Sequence, residues 1–302
     1  MIRWRAMNAD YVVRPMTVAD TPAVERLSDA AFYDLDVRTH RTGWPEPEHR
    51  SPGRAESWRS RIEHLVRHDP RGCWVAEDAS GVIGATASMR RDTTWLLATY
   101  AVQPGLQGKG VGRQVLDAAL SYGSGCLRGM LAASEDPAAV RRYRLAGFTL
   151  HPTMLLWGSV PRAALPVVER VRDGSFGDLD LLNSVDRQVR DSAHGVDHEI
   201  LARLHRLVVV DRSTGSGYAY VPQGGGAYLL AATNRRTATD LLWEALAASS
   251  PDQPVAVDHI SAGNEWAIDV GMACRMELWT RGYVALRGMK PPVPYLPSGH
   301  YL

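Results

Sequence analysis

The chain has 302 residues, of which 45% are hydrophobic and 22% are charged, and its formal net charge is +1. This is the composition of an ordinary soluble globular protein, and the length allows two domains that each bury a core. A charge so close to zero argues against strong nonspecific attraction to nucleic acid, so no nucleic-acid partner is expected.

The cysteines and the apolar runs exclude further classes of protein. Cys73, Cys126 and Cys274 are far apart and form no C-x-x-C pair, so we expect reduced core residues, no disulfide and no metal site. No apolar run approaches the roughly 20 residues of a membrane span, and no signal-peptide core is present at the N-terminus. These features predict a cytoplasmic protein without a membrane partner.

The first part of the chain predicts an alternation of strands and helices. A strand over residues 11–15 leads into a helix that begins at Thr17 or Asp20, both of which suit an N-cap. Residues 36–53 are polar and contain three prolines, which predicts a long loop, and a loop of that length is usually functional. The next predicted elements are a helix over 55–68 and strands over 73–77 and 82–89.

The most informative stretch runs from Tyr100 to Leu116, with the sequence YAVQPGLQGKGVGRQVL. A strand over 93–102 is ended by Pro-Gly, and a helix over 109–121 follows. Glycines at 108, 110 and 112 remove the Cβ atoms that would keep a ligand from the main chain, and they permit positive φ. Free N–H groups and the helix dipole then favour an anion, in particular a pyrophosphate.

Two common phosphate loops fit this stretch poorly. A Walker loop requires Ser or Thr after Gly-Lys, whereas Gly110 follows Lys109. In a dinucleotide fingerprint the third glycine comes later than it does here. The stretch instead resembles the acyl-CoA loop of the GNAT acetyltransferases, V-x-P-x-x-(Gln/Arg)-G-x-G-hydrophobic-(Gly/Ala). The resemblance implies acetyl-CoA as the co-substrate, and it implies binding by Tyr100, Ala101, Val102, Gln107, Gly108, Lys109, Gly110, Val111, Gly112 and Arg113.

A second stretch, residues 136–148, resembles the late helix of the same family, N-x-x-A-x-x-x-Y-x-x-x-G-F. Pro137 suits the first helical position and Gly147 suits the residue after the C-cap. Asp136 replaces the usual Asn and is assigned to the cofactor side by the resemblance. Seen alone, a tyrosine here is more often a packing residue, but the resemblance implies that Tyr143 protonates the departing thiolate of CoA.

From Val167 onward the order of elements restarts, which predicts a second copy of the same fold. The glycine loop fails in this copy, because residues 233–237 read Thr-Asn-Arg-Arg-Thr and their side chains would crowd a pyrophosphate. We therefore expect an α/β (α+β) protein of two GNAT-like domains in tandem, each a mixed, mostly antiparallel sheet flanked by helices. The predicted division is a catalytic domain over 1–158, a linker over 159–166 and a degenerate domain with a C-terminal tail over 167–302.

Residues on the substrate side are suggested in both halves. The resemblance places the predicted loop over 36–53 against the acceptor, so Trp44 is a candidate together with His40 and His49. In the second half, His194-Gly-Val-Asp197-His198 could accept or orient an amine. The same letters superficially resemble metal spacing, and they also suit the polar start of a helix. The general base stays open among Glu77, His40, His49 and a water chain.

The resemblance implies an N-acetyltransferase that transfers an acetyl group to the primary amine of a small molecule by direct attack in a ternary complex. Tandem members of the family with one degenerate copy include enzymes that acetylate antibiotics. Two alternatives remain, namely an acetyltransferase for a protein lysine or N-terminus and a non-catalytic acyl-CoA sensor. A homodimer and a longer acyl donor are also left open, and the aromatic, proline-rich tail over 290–302 is expected to pack against the protein.

Overall fold

The structure is a computed structural model that describes residues 10–302. Residues 1–9, which begin the predicted domain 1–158 and the region searched for a signal peptide, lie outside the described residues. The chain divides into two compact units. The first unit contains the residues up to Arg90 together with Trp95–Cys126, and the second contains Arg91–Thr94 with Leu127–Leu302.

From residue 10 onward, the first unit contains four strands and three α-helices. The strands are β1 (Val12–Pro15), β2 (Cys73–Asp78), β3 (Gly81–Arg91) and β4 (Thr94–Val102), which follow one another in that order in the sheet. The helices are α1 (Thr21–Thr39), α2 (Pro52–His68) and α3 (Val111–Tyr122).

Antiparallel pairing and one apolar cluster hold the first unit together. β1 pairs with β2 through Val13 opposite Ala76, and β2 pairs with β3 through Ala76 opposite Gly84. The cluster joins the strands to α3 and consists of Val13, Ala76, Ile83, Val102, Val111 and Val115. Because Val111 and Val115 are one helical turn apart, α3 presents its apolar face to this cluster.

The second unit contains nine strands and five helices within the described residues. The strands are β5 (Arg128–Ala133), β6 (Thr149–Gly158), β7 (Arg172–Asp173), β8 (Arg206–Arg212), β9 (Gly215–Val221), β10 (Leu229–Ala232), β11 (Val255–Ser261), β12 (Glu277–Arg287) and β13 (Tyr295–Leu296). The helices are α4 (Pro137–Leu145), α5 (Leu179–Arg190), α6 (Asp197–Leu204), α7 (Arg235–Ala247) and α8 (Glu265–Ala273).

A long strand from the end of the chain lies between two strands from its middle. Ala285 of β12 pairs with Leu131 of β5 on one side and with Leu150 of β6 on the other, and both pairings are antiparallel. β6 in turn pairs with β11. Residues on both sides of the predicted linker over 159–166 therefore share one packing unit, and the division into domains at that linker stays a prediction.

The second sheet of this unit has the order β13-β10-β9-β8-β7 and includes the tail. Leu230 of β10 pairs with Leu296 of β13, and the side chains of Tyr301 and Leu302 are fully buried. The expectation that the tail packs against the protein is confirmed, because Tyr295, Leu296, Tyr301 and Leu302 are buried in the second unit, although Val293 is exposed.

The fold class is confirmed, since antiparallel sheets are flanked by helices. The predicted loop over 36–53 is too long at both ends. α1 continues to Thr39, and α2 already begins at Pro52, where Ser51 caps it by accepting a hydrogen bond from Arg54 N–H at 3.4 Å. None of the helices within residues 10–302 combines the length and apolar character that a bilayer-spanning segment requires.

The cysteines provide a first prediction. Cys73 is fully buried in β2, and burial raises the pKa of its thiol to about 12, whereas Cys126 is only half-buried. Because the thiolate is the reactive form, we expect a disulfide reagent at about pH 8 to modify Cys126 in the native protein. Cys73 and Cys274, which is also buried, should react only after unfolding. Rapid reaction of Cys73 in the folded protein would contradict this placement, and mass spectrometry of labelled peptides measures it.

Candidate functional site

The glycine-rich loop between β4 and α3 has the conformation that its sequence predicts. Gly105, Gly108 and Gly110 have φ of +82°, +80° and +94°, values that L-residues with a Cβ rarely adopt. A Cβ added at Gly108 would meet no atom within 4 Å. Gln107, Gly108 and Lys109 are exposed, so the main chain here borders open space into which any larger side chain would project.

The loop ends where α3 begins. Gly110 is the N-cap in the left-handed conformation, and the first hydrogen bond of the helix runs from Gln114 N–H to the oxygen of Gly110 at 3.2 Å. The N–H groups before Gln114 therefore have no partner inside the helix and point out of its positive end. Arg113 lies on this first turn with a side chain that is 67% exposed, and its Nε is 3.4 Å from Asp117 Oδ2 one turn further along the helix. The arrangement is suited to a phosphate or pyrophosphate.

The side chain of Gln107 has a structural use that its sequence pattern does not reveal. Its Oε1 accepts a hydrogen bond from Gly105 N–H at 2.9 Å, and its Nε2 donates to the oxygen of Val102 at 3.3 Å. These bonds close the turn that follows β4. The assignment of Gln107 to cofactor binding stays a prediction, and the observed bonds favour a contribution through its main chain.

Gly112 differs from Gly108 because neighbouring residues occupy the space that a side chain at this position would need. A Cβ there would overlap the hydroxyl of Tyr100 and lie 3.1 Å from Val102 Cγ2. Gly112 thus allows α3 to approach β4, where Ala101 and Val102 are buried and Tyr100 is half-buried. Val111 is also buried, against Gly84.

Tyr143 lies on the last turns of α4 in the second unit. The helix has the predicted start and end: Asp136 accepts hydrogen bonds from Ala138 and Ala139 N–H at 2.9 Å each, and Gly147 has a φ of +86°. The N–H of Phe148 bonds to the oxygen of Tyr143 at 3.1 Å, which completes a Schellman motif. Tyr143 is 5% exposed, so its ring is rigidly held. The N-cap bonds engage Asp136 Oδ1, and the cofactor role of Asp136 stays a prediction.

The segment between α1 and α2 is fastened to α1 by one carboxylate. Asp29 accepts hydrogen bonds from His49 Nδ1 at 2.6 Å and from Arg50 N–H at 2.9 Å, and the His49 ring stacks on Tyr33 at 3.9 Å. Burial raises the pKa of Asp29, but these bonds outweigh it and leave the pKa below its usual range. Asp29 thereby orients His49.

The other candidate residues near that segment each contact a different partner. Trp44 is half-buried, and the Arg41 guanidinium lies 5.3 Å from the centre of its ring. His40 Nε2 lies 3.3 Å from the oxygen of Trp44. Glu77 accepts a bond from Arg14 Nε at 2.8 Å. The substrate role of Trp44 and the choice of base among these residues stay predictions.

His194 and Asp197 lie in the core of the second unit, in and before α6. Asp197 is fully buried and binds Arg91 through two hydrogen bonds, Nε to Oδ2 at 2.7 Å and a terminal nitrogen to Oδ1 at 2.5 Å. His194 is also fully buried and bonds through Nδ1 to Asp186 Oδ2 at 2.8 Å. Burial lowers the pKa of His194 to about 4, so its imidazole is neutral near pH 7. The substrate role of both residues stays a prediction that this burial disfavours.

The Arg91–Asp197 pair provides a second prediction. Removal of one charge from a buried ion pair takes away the main compensation of the other, so we expect Asp197→Asn to lower the free energy of unfolding by about 3–5 kcal/mol without changing the KM for an amine. Asp173→Asn is the matched control, because Asp173 binds Arg206 in an exposed pair and should cost about 1 kcal/mol or less. Urea unfolding monitored by circular dichroism measures both changes. Equal losses in the two variants would refute the structural role.

The turn in the second half that corresponds to the glycine loop is filled by its own side chains. Asn234 caps α7 by accepting a bond from Thr237 N–H at 2.9 Å, and its Nδ2 donates to the oxygen of Thr214 at 2.9 Å. Thr233 Oγ1 accepts a bond from Ser216 N–H at 3.0 Å. The proposal that this copy does not bind CoA agrees with this packing.

Comparison with known proteins finds a similarity in the segment that carries both motifs. Residues 30–148 match the model of the Acetyltransferase (GNAT) family. This segment includes β4, the glycine loop and α4, and the family that it resembles consists of enzymes that use acetyl-CoA. No curated protein sequence gives a significant match to the chain.

Solved structures show the same fold over nearly the whole chain. A candidate acetyltransferase from Pyrococcus horikoshii has 17% identity and a TM-score of 0.75, and the match covers 99% of this chain and 98% of that protein. A GCN5-related N-acetyltransferase from Kribbella flavida matches with 16% identity and a TM-score of 0.57, over 92% and 70% of the two chains. A tandem GNAT protein of the clavulanic acid biosynthesis pathway matches with 15% identity and a TM-score of 0.56, over 93% and 99%. The likeness to a tandem protein agrees with the predicted fold.

Proposed function

We propose that this protein is an acetyl-CoA-dependent N-acetyltransferase that transfers the acetyl group to the primary amine of a small molecule within a ternary complex. The observation that carries the proposal is the glycine loop, whose main chain lies in the left-handed region at Gly108 and Gly110 and borders open space at Gly108. Main-chain N–H groups at the start of α3 would hold the pyrophosphate, and Arg113 would add a positive charge.

The remaining roles follow from the chemistry of amide formation. Bound acetyl-CoA supplies an activated acetyl group as a thioester. Residues 100–102, at the end of β4, would pair with the pantetheine arm as an added strand would, through main-chain groups. Tyr143, held rigidly in α4, would donate its hydroxyl proton to the sulfur as the carbon–sulfur bond breaks. The amine nitrogen loses its proton to a base, for which the Asp29-oriented imidazole of His49 is a structurally ordered candidate.

The test separates cofactor binding from turnover. Acetyl-CoA is first titrated into the purified protein by calorimetry, and release of the CoA thiol is then followed with a panel of small primary amines and with peptides that carry a free lysine or N-terminus. Binding of one acetyl-CoA per chain with turnover of small amines supports the proposal. Turnover of peptides alone would favour a protein acetyltransferase, and binding without any turnover would favour a sensor. Absence of binding would exclude the acetyltransferase function.

A further inference from the structure

A cluster of polar side chains fills the core of the second unit at the junction of α5, α6 and β9. Asp186, His194 and His198 have no exposed surface, and one ligand-type atom from each lies within 4.8 Å of those of the other two. Tyr218 of β9 is also fully buried and donates a hydrogen bond from its hydroxyl to Asp186 Oδ1. Buried polar groups cost free energy unless they are satisfied, so a cluster of four requires a reason.

We propose that Asp186, His194, His198 and Tyr218 form a binding site for one divalent transition-metal ion of the zinc type. Zinc prefers four nitrogen, oxygen or sulfur ligands in a tetrahedron. The four side chains offer two imidazole nitrogens, a carboxylate oxygen and a phenol oxygen, a donor set that suits zinc better than calcium or magnesium. The prediction of no metal site is based on the spacing of the cysteines, and it does not apply to ligands from histidine, aspartate and tyrosine.

The separations between the donor atoms support this assignment. Asp186 Oδ2 lies 2.8 Å from His194 Nδ1 and 3.3 Å from His198 Nε2, and Tyr218 Oη lies 3.2 Å from His194 Nδ1. With metal–ligand bonds of about 2.0–2.1 Å, the edge of a regular tetrahedron is about 3.3 Å. These three of the six donor separations are close to this edge, and the Asp186, His194 and His198 donor atoms all lie within 4.8 Å of one another.

The hydrogen bonds of His198 leave one nitrogen directed at the cluster. Its Nδ1 lies 3.0 Å from Tyr220 Oη, and that hydroxyl can donate to the His198 carbonyl oxygen at 3.5 Å. With Nδ1–H as donor to Tyr220, the lone pair of His198 Nε2 faces the Asp186 carboxylate at 3.3 Å, and Nε2 has no hydrogen-bond partner. In this tautomer the lone pair and the carboxylate repel each other unless a cation lies between them, whereas in the other tautomer Nε2–H would donate to Asp186. A metal ion satisfies both groups.

The surroundings provide the other features of a metal site. Tyr220 fixes the orientation of His198, as a hydrogen bond to the other ring nitrogen does for imidazoles that bind metals. The carboxylate of Asp186 also accepts a hydrogen bond from His194 N–H at 3.0 Å. A cavity of about 390 Å³ is bordered by His198 and Tyr220 and also by Phe176 and Leu179, so it adjoins one of the four proposed ligands.

The charges around the cluster determine whether Tyr218 binds the ion as a phenol or as a phenolate. Asp186 is the anion of the cluster, and Arg190 is a buried cation nearby whose guanidinium donates to the main-chain oxygens of Ser192, Ala193 and Leu302. A divalent ion adds two positive charges. Release of the Tyr218 hydroxyl proton on metal binding would give a phenolate, which together with Asp186 compensates the two charges of the ion and leaves the Arg190 cation to its main-chain partners. The bound ion would then join α5, the start of α6 and β9 as a structural centre.

The experiment uses the full chain, purified without metal-affinity steps and dialysed against chelator. We expect one equivalent of Zn²⁺ to bind by calorimetry and to raise the Tm, since ligands of the native state stabilise it. Co²⁺ should give the intense visible absorption of a tetrahedral nitrogen–oxygen site. His198→Gln should weaken Zn²⁺ binding at least 100-fold, whereas the control His259→Gln, at a half-buried histidine of the same unit, should leave it unchanged.

Two results would overturn the site. The first is folded wild-type protein that neither binds Zn²⁺ nor changes its Tm, in which case a proton rather than a metal holds His198 against Asp186. The second is Zn²⁺ binding that is equal in wild type and His198→Gln, which would place the ion elsewhere. If His198→Gln fails to fold, the stoichiometry and the Co²⁺ spectrum of the wild type decide the question. These readouts do not depend on acetyl-CoA or on turnover.

Discussion

Gly108→Ala/Gly110→Ala is expected to weaken acetyl-CoA binding at least about 100-fold. Each added Cβ would force a side chain into a φ of +80° or +94°, and the one at position 108 would project into the open space beside the loop. The loop would then withdraw its N–H groups from the phosphates. Hydrogen bonds to a charged group contribute about 1.5–3 kcal/mol each, so the loss of two accounts for this factor. Calorimetric titration of acetyl-CoA measures the change.

The structure supplies the control for this experiment and excludes one variant. Gly81 has a φ of +117° in the turn between β2 and β3 and open space around it, so Gly81→Ala imposes similar backbone strain away from the loop. Its acetyl-CoA affinity should equal that of the wild type. Gly112 is unsuitable, because a Cβ there would overlap Tyr100 and disturb packing. Retention of wild-type affinity by the double variant would remove the loop from the proposed binding site.

Tyr143→Phe is expected to lower kcat by about 10²-fold or more while the Kd for acetyl-CoA stays unchanged. Phenylalanine keeps the ring that α4 holds in a buried position, but it has no proton to give to the departing thiolate. General acid catalysis by a positioned side chain contributes about 10²–10⁴-fold to a rate. Steady-state kinetics of thiol release, combined with calorimetry, separate the two quantities.

Tyr122→Phe is the matched control for the loss of a tyrosine hydroxyl. Tyr122 donates to Asp69 at 2.9 Å in the first unit, and its removal should affect stability rather than kcat. If Tyr143→Phe turns over as fast as Tyr122→Phe, Tyr143 is a packing residue, which is the commoner use of a tyrosine at a helix end. The acid would then have to be found elsewhere.

The elements around the two motifs were predictable because their causes are local. Pro104-Gly105 ends β4, glycines permit positive φ at 108 and 110, and Pro137 and Gly147 delimit α4. Each of these effects depends on residues within a few positions of one another. The same holds for Asn234, which begins α7 where the glycine loop would have been.

The sequence could not show which partners the predicted substrate residues contact. Asp197 follows a histidine and a glycine and resembles an exposed helix start, but its partner is Arg91. His194 and His198 suggested a ligand through their spacing, yet Asp186 and Tyr218 come from a preceding helix and a later strand. No local sequence pattern shows which side chains from distant parts of the chain come into contact.

The sequence by itself therefore determined the helices, the strands and the glycine loop, since propensity, capping and glycine conformation act over a few residues. The tertiary structure decided that β12 lies between β5 and β6 and that the tail pairs with β10. It also decided that Asp186, His194, His198 and Tyr218 meet in one buried cluster. Strand order and burial depend on the packing of apolar faces from distant parts of the chain, and many pairings satisfy the same local pattern.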